Sequence, residues 1–241
     1  MTRRSALAWI GLLVFSAGVV AEGVRKHSAV TPVPREEDWW VQRHESANAR
    51  AKQGAVDLIF IGDSITHSWE NAGKEVWKKY YTHRKAMNLG FSGDRTQHVL
   101  WRLDHGNIDG ISPKAAVLMI GTNNSNKRDN TAEEIADGIT AIVRQLRVKL
   151  PRTKVLILGI FPRGEKPSPQ REKNARASKL ASKIADGKMI HYMNIGVHFL
   201  TPDATLTKEI MPDYLHLTRK GYEMWAIAIE GKLRELLGEQ P

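Results

Sequence analysis

The chain has 241 residues, of which 41% are hydrophobic and 26% charged, with a formal net charge of +10. That is the balance of one globular domain, and it excludes a disordered chain and a bundle of membrane spans. The absence of cysteine also excludes disulfides, thiolate metal sites, thiol catalysis and a lipid-modified cysteine anchor, so an enzyme here must use Ser, Thr, His or carboxylates.

Arg3 and Arg4 precede an uncharged run from Ser5 to Ala21 that ends in small residues. A basic start, an apolar stretch and small residues predict an export signal over residues 1–21, with the mature chain beginning near Glu22. The run falls short of the roughly 20 apolar residues that cross a bilayer comfortably. An uncleaved signal anchor is the alternative, and it is the only membrane association the sequence suggests. The expected location is therefore periplasmic or extracellular. Residues 22–35, polar with Pro32 and Pro34, read as a linker to a domain covering 36–241.

Glu36 to Lys52 has the charge density of an exposed helix, with Trp39 and Trp40 to dock it. Val56–Ile61 is a short apolar run ended by Gly62, which predicts a buried strand and a turn. Similar strands are expected over Ala86–Leu89, Ala115–Ile120, Val155–Leu158 and Met189–Ile195. Helical patterns lie between and after them, over Thr96–Leu103, Thr131–Leu150, Gln170–Ala185 and Arg219–Leu237. Thr131 with Glu134 forms a capping box at the start of one of these. Strands alternating with amphipathic helices imply an α/β domain whose parallel sheet is covered on both faces. In such sheets ligands bind beyond the carboxyl ends of the strands. Lys and Arg are spread along the chain without a basic run or a nucleic-acid module, so the charge reads as a solvated surface and no nucleic-acid partner is expected.

Three strand ends carry polar chemistry. Ser64 follows Gly62-Asp63 at a predicted helix start, where orphan N–H groups and positive potential favour a developing oxyanion. Capping of that helix by Asp63 or Ser64 is the plainer alternative. A serine hydroxyl needs a base, and Asp213-Tyr214-Leu215-His216 offers an imidazole with a carboxylate three residues earlier. Asp213 can hold the ring while His216 takes the serine proton. His67, one helical turn beyond Ser64, is a rival base without an acid partner close in sequence. Gly90, after a strand, lets its N–H approach a substrate closely, and Asn123 can present a side-chain amide. No His or carboxylate cluster has metal-ligand spacing, so neither metal nor cofactor is expected.

The ordered set Gly-Asp-Ser, Gly, Gly-x-Asn and Asp-x-x-His resembles the SGNH (GDSL-like) hydrolase superfamily. The stretches FIGDSITHSWE, MNLGFSGDRTQHVLWRL, MIGTNNSN, TAEEIADGI, LGIFPRGEKPSPQREKN and DYLHLTRKGY resemble the platelet-activating-factor acetylhydrolase Ib-type catalytic subunits more narrowly. They run from Asp57 to about Trp225. The resemblance implies a three-layer α/β/α, flavodoxin-like fold with a central five-stranded parallel sheet. It implies Ser64 as nucleophile, His216 as base then acid, and Asp213 as its orienting partner. The Ser64 and Gly90 N–H groups and the Asn123 side chain would form the oxyanion hole, and Ile65, Thr122 and Leu215 a small acyl pocket.

The expected activity is hydrolysis of short, acetyl-sized esters through an acyl-enzyme, on a small-molecule or glycan ester. A lipid-ester acetylhydrolase is the near alternative, and a non-catalytic envelope- or polysaccharide-binding module on the same fold is the remote one. Relatives of this kind often dimerise, which leaves a homodimer open. Arg163 to Lys166 is expected to be a structural loop, and Trp101 and Trp225 to be packing residues.

Overall fold

The computed structural model describes residues 27–126 and 129–240, so the expected export signal lies outside the described residues. Five strands form one parallel sheet: β1 (Leu58–Gly62), β2 (Ala86–Gly90), β3 (Ala115–Met119), β4 (Lys154–Leu158) and β5 (Ile190–Met193). Their spatial order is β2-β1-β3-β4-β5. The chain moves outward from β1 to β2 and then returns past β1 to β3, which makes the β1/β3 boundary the topological switch point. In sheets of this kind ligands bind at that boundary, beyond the strand ends.

The strands read as continuous apolar runs because both faces are covered. Leu58 and Phe60 point into one core and Ile59 and Ile61 into the other, as the two-residue period of a strand requires. The Ile59 side is covered by α1 (Asp38–Lys52), α4 (Thr96–Asp104), α5 (Ala132–Lys149) and α6 (Pro169–Ala181). The Leu58 side is covered by α2 (Ser64–His67), α3 (Lys74–Tyr80) and α7 (Arg219–Leu237). On that side Phe60, Trp69, Tyr81, Tyr222 and Trp225 interlock by tilted and edge contacts. This is the three-layer α/β/α arrangement expected from the sequence.

Local signals account for several element ends. Thr131 and Glu134 exchange side-chain and backbone hydrogen bonds at 3.0 and 3.2 Å, closing the capping box that opens α5. Ser168 caps α6 ahead of Pro169, and α7 stops at Gly238 with φ +72°, a left-handed C-terminal glycine.

Three expectations are corrected. The helix expected over Gln170–Ala185 ends at Ala181, and a single 3₁₀ turn, Ser182–Ile184, finishes the segment. Trp40 docks α1 as expected, at 1% exposure, but Trp39 stays 40% exposed. The segment read as a linker is packed onto the domain over its described part. There Ala29 is fully buried and its carbonyl accepts from Thr96 Oγ1 at 2.7 Å, while Arg35 Nη1 donates to the Ser92 carbonyl at 2.6 Å. Among the described residues no helix is long and apolar enough to cross a membrane.

Candidate active site

Gly62 ends β1 where a side chain has no room, since a Cβ there would lie 2.1 Å from Thr66 Oγ1 and 2.4 Å from the Met119 carbonyl. The chain turns at once into α2. Asp63 caps that helix, its Oδ1 accepting from the Ile65 N–H at 3.0 Å. Ser64 is the first helical residue, so its own N–H has no partner within the helix. The capping role expected as the plainer alternative falls to Asp63, and the hydroxyl of Ser64 is left for other work.

That hydroxyl meets a histidine from the far end of the chain. Ser64 Oγ lies 2.8 Å from His216 Nε2, across 152 residues of sequence. His216 Nδ1 lies 2.6 Å from Asp213 Oδ2. A carboxylate only accepts, so Nδ1 carries the proton and Nε2 is left as acceptor for the serine hydroxyl. The Asp213 carboxylate also shapes the turn, its Oδ1 accepting from the N–H groups of Leu215 at 3.0 Å and His216 at 2.7 Å. Tyr214 takes the left-handed conformation, φ +59°, that brings acid and imidazole together. Burial pulls the Asp213 carboxyl upward, but the backbone and imidazole N–H groups of His216 and the Leu215 N–H together hold it below the ordinary range.

His67, the rival base, is turned elsewhere. Its Nδ1 faces Ser92 Oγ at 2.9 Å, and burial lowers its pKa. His98 accepts the Arg95 N–H, and His105 stacks on Trp101 at 3.8 Å, so both serve packing and capping. Trp225 is fully buried, as expected for a core residue.

The oxyanion donors divide. Asn123 follows β3, and its Nδ2 donates one hydrogen to the Asp94 carbonyl at 2.9 Å, which orients the amide and leaves its second hydrogen unused. Gly90 departs from expectation. Its N–H points off the outer edge of the sheet and donates to Asn88 Oδ1 at 2.8 Å, so it is already engaged. The glycine is required there by packing, because a Cβ would lie 2.2 Å from the His67 nitrogen of α2. The open amide of this loop is that of Gly93, which has φ +79° and makes no hydrogen bond to the described residues. Gly93 directly precedes Asp94, the residue whose carbonyl holds Asn123. The positional signal was available in Ser-Gly-Asp, a glycine inside a loop rather than at a strand end.

Of the three residues expected around the acyl group, two are buried. Ile65 and Thr122 are each 1% exposed, and Leu215 is half-buried against the α7-side core. Thr122 is held further by Arg163, whose Nη1 donates to its carbonyl at 3.2 Å and its hydroxyl at 3.3 Å. The Arg163 loop is thus tied to the site, which its reading as a structural loop did not anticipate.

Beneath the loops lies a buried network. Asp94 and Arg102 are both fully covered and paired at 2.8 Å, and Trp40 Nε1 donates to the other Asp94 oxygen at 2.8 Å. Burial drives each of the two charged groups toward neutrality, and their mutual contact opposes it. Asp63 is also fully buried, with Oδ2 unpartnered. Desolvation pushes its carboxyl up to about 7, against the Ile65 N–H and the neighbouring His216. Among the described residues no cluster of His, Cys, Asp and Glu is arranged to hold a metal ion.

Residues 60–224 match the model of the GDSL-like Lipase/Acylhydrolase family, which spans both the Ser64 turn and the Asp213–His216 turn. The chain belongs to that family. It is accordingly a carboxylic ester hydrolase. Among relatives, the platelet-activating factor acetylhydrolase IB subunit alpha2 of Rattus norvegicus is 37% identical over 207 residues, covering 85% of this chain and 88% of that protein. The corresponding alpha1 subunit of Mus musculus is 36% identical over 221 residues, 90% of this chain and 93% of that protein. A carbohydrate acetylesterase from Sinorhizobium meliloti shares the fold at TM-score 0.56 and 18% identity, over 75% of this chain and 99% of that one. A catalytic mutant of an acetylxylan esterase from Geobacillus stearothermophilus does so at TM-score 0.57 and 17% identity, over 78% of this chain and 96% of that one. Membership in the GDSL-like family fixes the reaction class; these structural likenesses concern the fold alone.

Proposed function

We propose that this esterase removes short, acetyl-sized acyl groups from a carbohydrate or similar polyol, by a serine acyl-enzyme route. The observation that carries the reading is the continuous chain Ser64–His216–Asp213, with contacts of 2.8 and 2.6 Å. Ser64 Oγ attacks the ester carbonyl as His216 Nε2 takes its proton, and the same imidazole returns it to the leaving alkoxide. Water, deprotonated by His216, then releases the acid. Asp213 holds the proton-bearing Nδ1 and stabilises the imidazolium. The tetrahedral oxyanion is met by the Ser64 N–H, the free hydrogen of the Asn123 amide, and the Gly93 N–H in place of Gly90.

Burial of Ile65 and Thr122, which adjoin Ser64 and Asn123 in the chain, supports a small acyl group. The polyol reading is supported by the expected export of the chain and by its likeness to carbohydrate and xylan acetylesterases. The sequence relatives named for a platelet-activating factor favour the second reading, an acetyl ester on a lipid. A panel of p-nitrophenyl esters from acetyl to decanoyl, followed by acetylated oligosaccharides against an acetyl phospholipid, separates these. The proposal expects turnover to fall with chain length and to favour the sugars. A steady rise toward decanoyl would refute the small pocket, and preference for the phospholipid would refute the polyol.

A further inference from the structure

Arg163 stands in the loop after β4, which is fastened to the triad turn by the Gly164 N–H donating to the Tyr214 carbonyl at 2.8 Å. Its guanidinium is half-buried, and all its contacts fall on one nitrogen. Nη1 donates to the Thr122 carbonyl, the Thr122 hydroxyl and Asn126 Oδ1, at 3.2, 3.3 and 3.1 Å. The Nε–H and Nη2–H donors, which form the side-on fork of the group, have no partner among the described residues. No carboxylate forms an ion pair with it there, although Asp63 and Asp213 are near enough to be felt.

A guanidinium that loses part of its hydration is ordinarily compensated by a carboxylate. Here it is anchored by one edge to the loop that carries Asn123, and the free edge is the one whose parallel N–H bonds match two oxygens of one anion. The neighbouring Asp63 and Asp213 do not occupy it.

We infer that Arg163 is the recognition site for an anionic group on the substrate, a carboxylate or phosphate borne on the same molecule as the scissile ester. The inference rests on the esterase reading of Ser64 and narrows the polyol to an acidic one, such as a uronic acid unit or a polyol phosphate. The guanidinium takes no part in bond making. It binds two oxygens of the anion through Nε and Nη2 and sets the ester carbonyl against Ser64 Oγ.

The test compares three acetyl esters with the full chain: an O-acetylated methyl galacturonoside as free acid, its neutral methyl ester, and O-acetyl glycerol phosphate. Wild type is expected to show a KM about tenfold to a hundredfold lower for an anionic ester than for the neutral one, the range of a charge-assisted bidentate contact. Arg163→Gln should remove that difference, and Arg163→Lys, which has charge without a fork, should retain part of it. Preference for the free acid identifies a carboxylate, and preference for the glycerol phosphate a phosphate. Equal KM values in wild type, or an equal loss on neutral and anionic esters in Arg163→Gln, would overturn the inference while leaving the esterase intact. Turnover of none of the esters would instead count against the esterase reading. Calorimetric titration with inorganic phosphate is independent of turnover: binding that weakens about tenfold in Arg163→Gln is expected, and unchanged binding contradicts the site.

Discussion

The side-chain amide of Asn123 donates to the main-chain carbonyl of Asp94 at 2.9 Å, and this one bond ties the loop after β3 to the loop after β2. It fixes which way the second hydrogen of the amide points. Asn123→Ala should therefore lower kcat by about 10²–10³-fold, the loss typical of one oxyanion donor, with little change in KM. Steady-state kinetics on p-nitrophenyl acetate provide the check. A change in KM alone would mean that Asn123 binds ground-state substrate and not the oxyanion.

Asp63 gives a prediction about stability and pH. Its folded-state pKa is raised to about 7 by burial, above the value of an unfolded carboxyl. The stability it contributes is full below the ordinary carboxyl range and is lost as pH rises toward 7, because the fold must then hold an ionised group without a partner for Oδ2. Asp63→Asn keeps the acceptor for the Ile65 N–H and cannot ionise. Relative to wild type, the variant should gain stability between pH 4 and pH 7, by up to roughly 4 kcal/mol at about 1.4 kcal/mol per pH unit. Urea unfolding of both proteins at acidic and neutral pH measures this. A stability difference independent of pH would contradict it.

The Asp94–Arg102 pair predicts strong non-additivity. Asp94→Ala leaves Arg102 buried without a counter-charge and should cost about 3–5 kcal/mol. Adding Arg102→Met removes the orphaned charge, so the double variant should be more stable than Asp94→Ala alone. Denaturant unfolding of the single and double variants supplies the cycle. Costs that simply add would show that the charges do not depend on one another.

Much of this was legible in the sequence because strands buried on both faces leave uninterrupted apolar runs, and the capping residues of α5 and α6 announce themselves locally. The residues at the strand ends were legible for the same reason, since Ser64 and Asn123 directly follow such runs. What was hidden depends on side chains meeting at long range. The engagement of the Gly90 N–H by Asn88 follows from β2 being an edge strand, which a linear pattern does not reveal. The docking of Arg35 and Ala29 is set by partners at Ser92 and Thr96, so a polar, proline-containing stretch looked like a linker. Arg163 reads as part of a structural loop leading into a helix, and its one-sided anchoring is visible only once Thr122 and Asn126 stand beside it.

The central claim is that the 2.8 Å contact between Ser64 and His216 is a nucleophile with its base. Hydrolysis of p-nitrophenyl acetate by wild type, Ser64→Ala, His216→Ala and the double variant tests it most directly. The account predicts that each single variant loses many orders of magnitude, on the order of 10⁶-fold in other triad hydrolases, and that the double variant is no worse than either. Wild-type rates from Ser64→Ala, in a protein that unfolds at the same denaturant concentration as wild type, would contradict it.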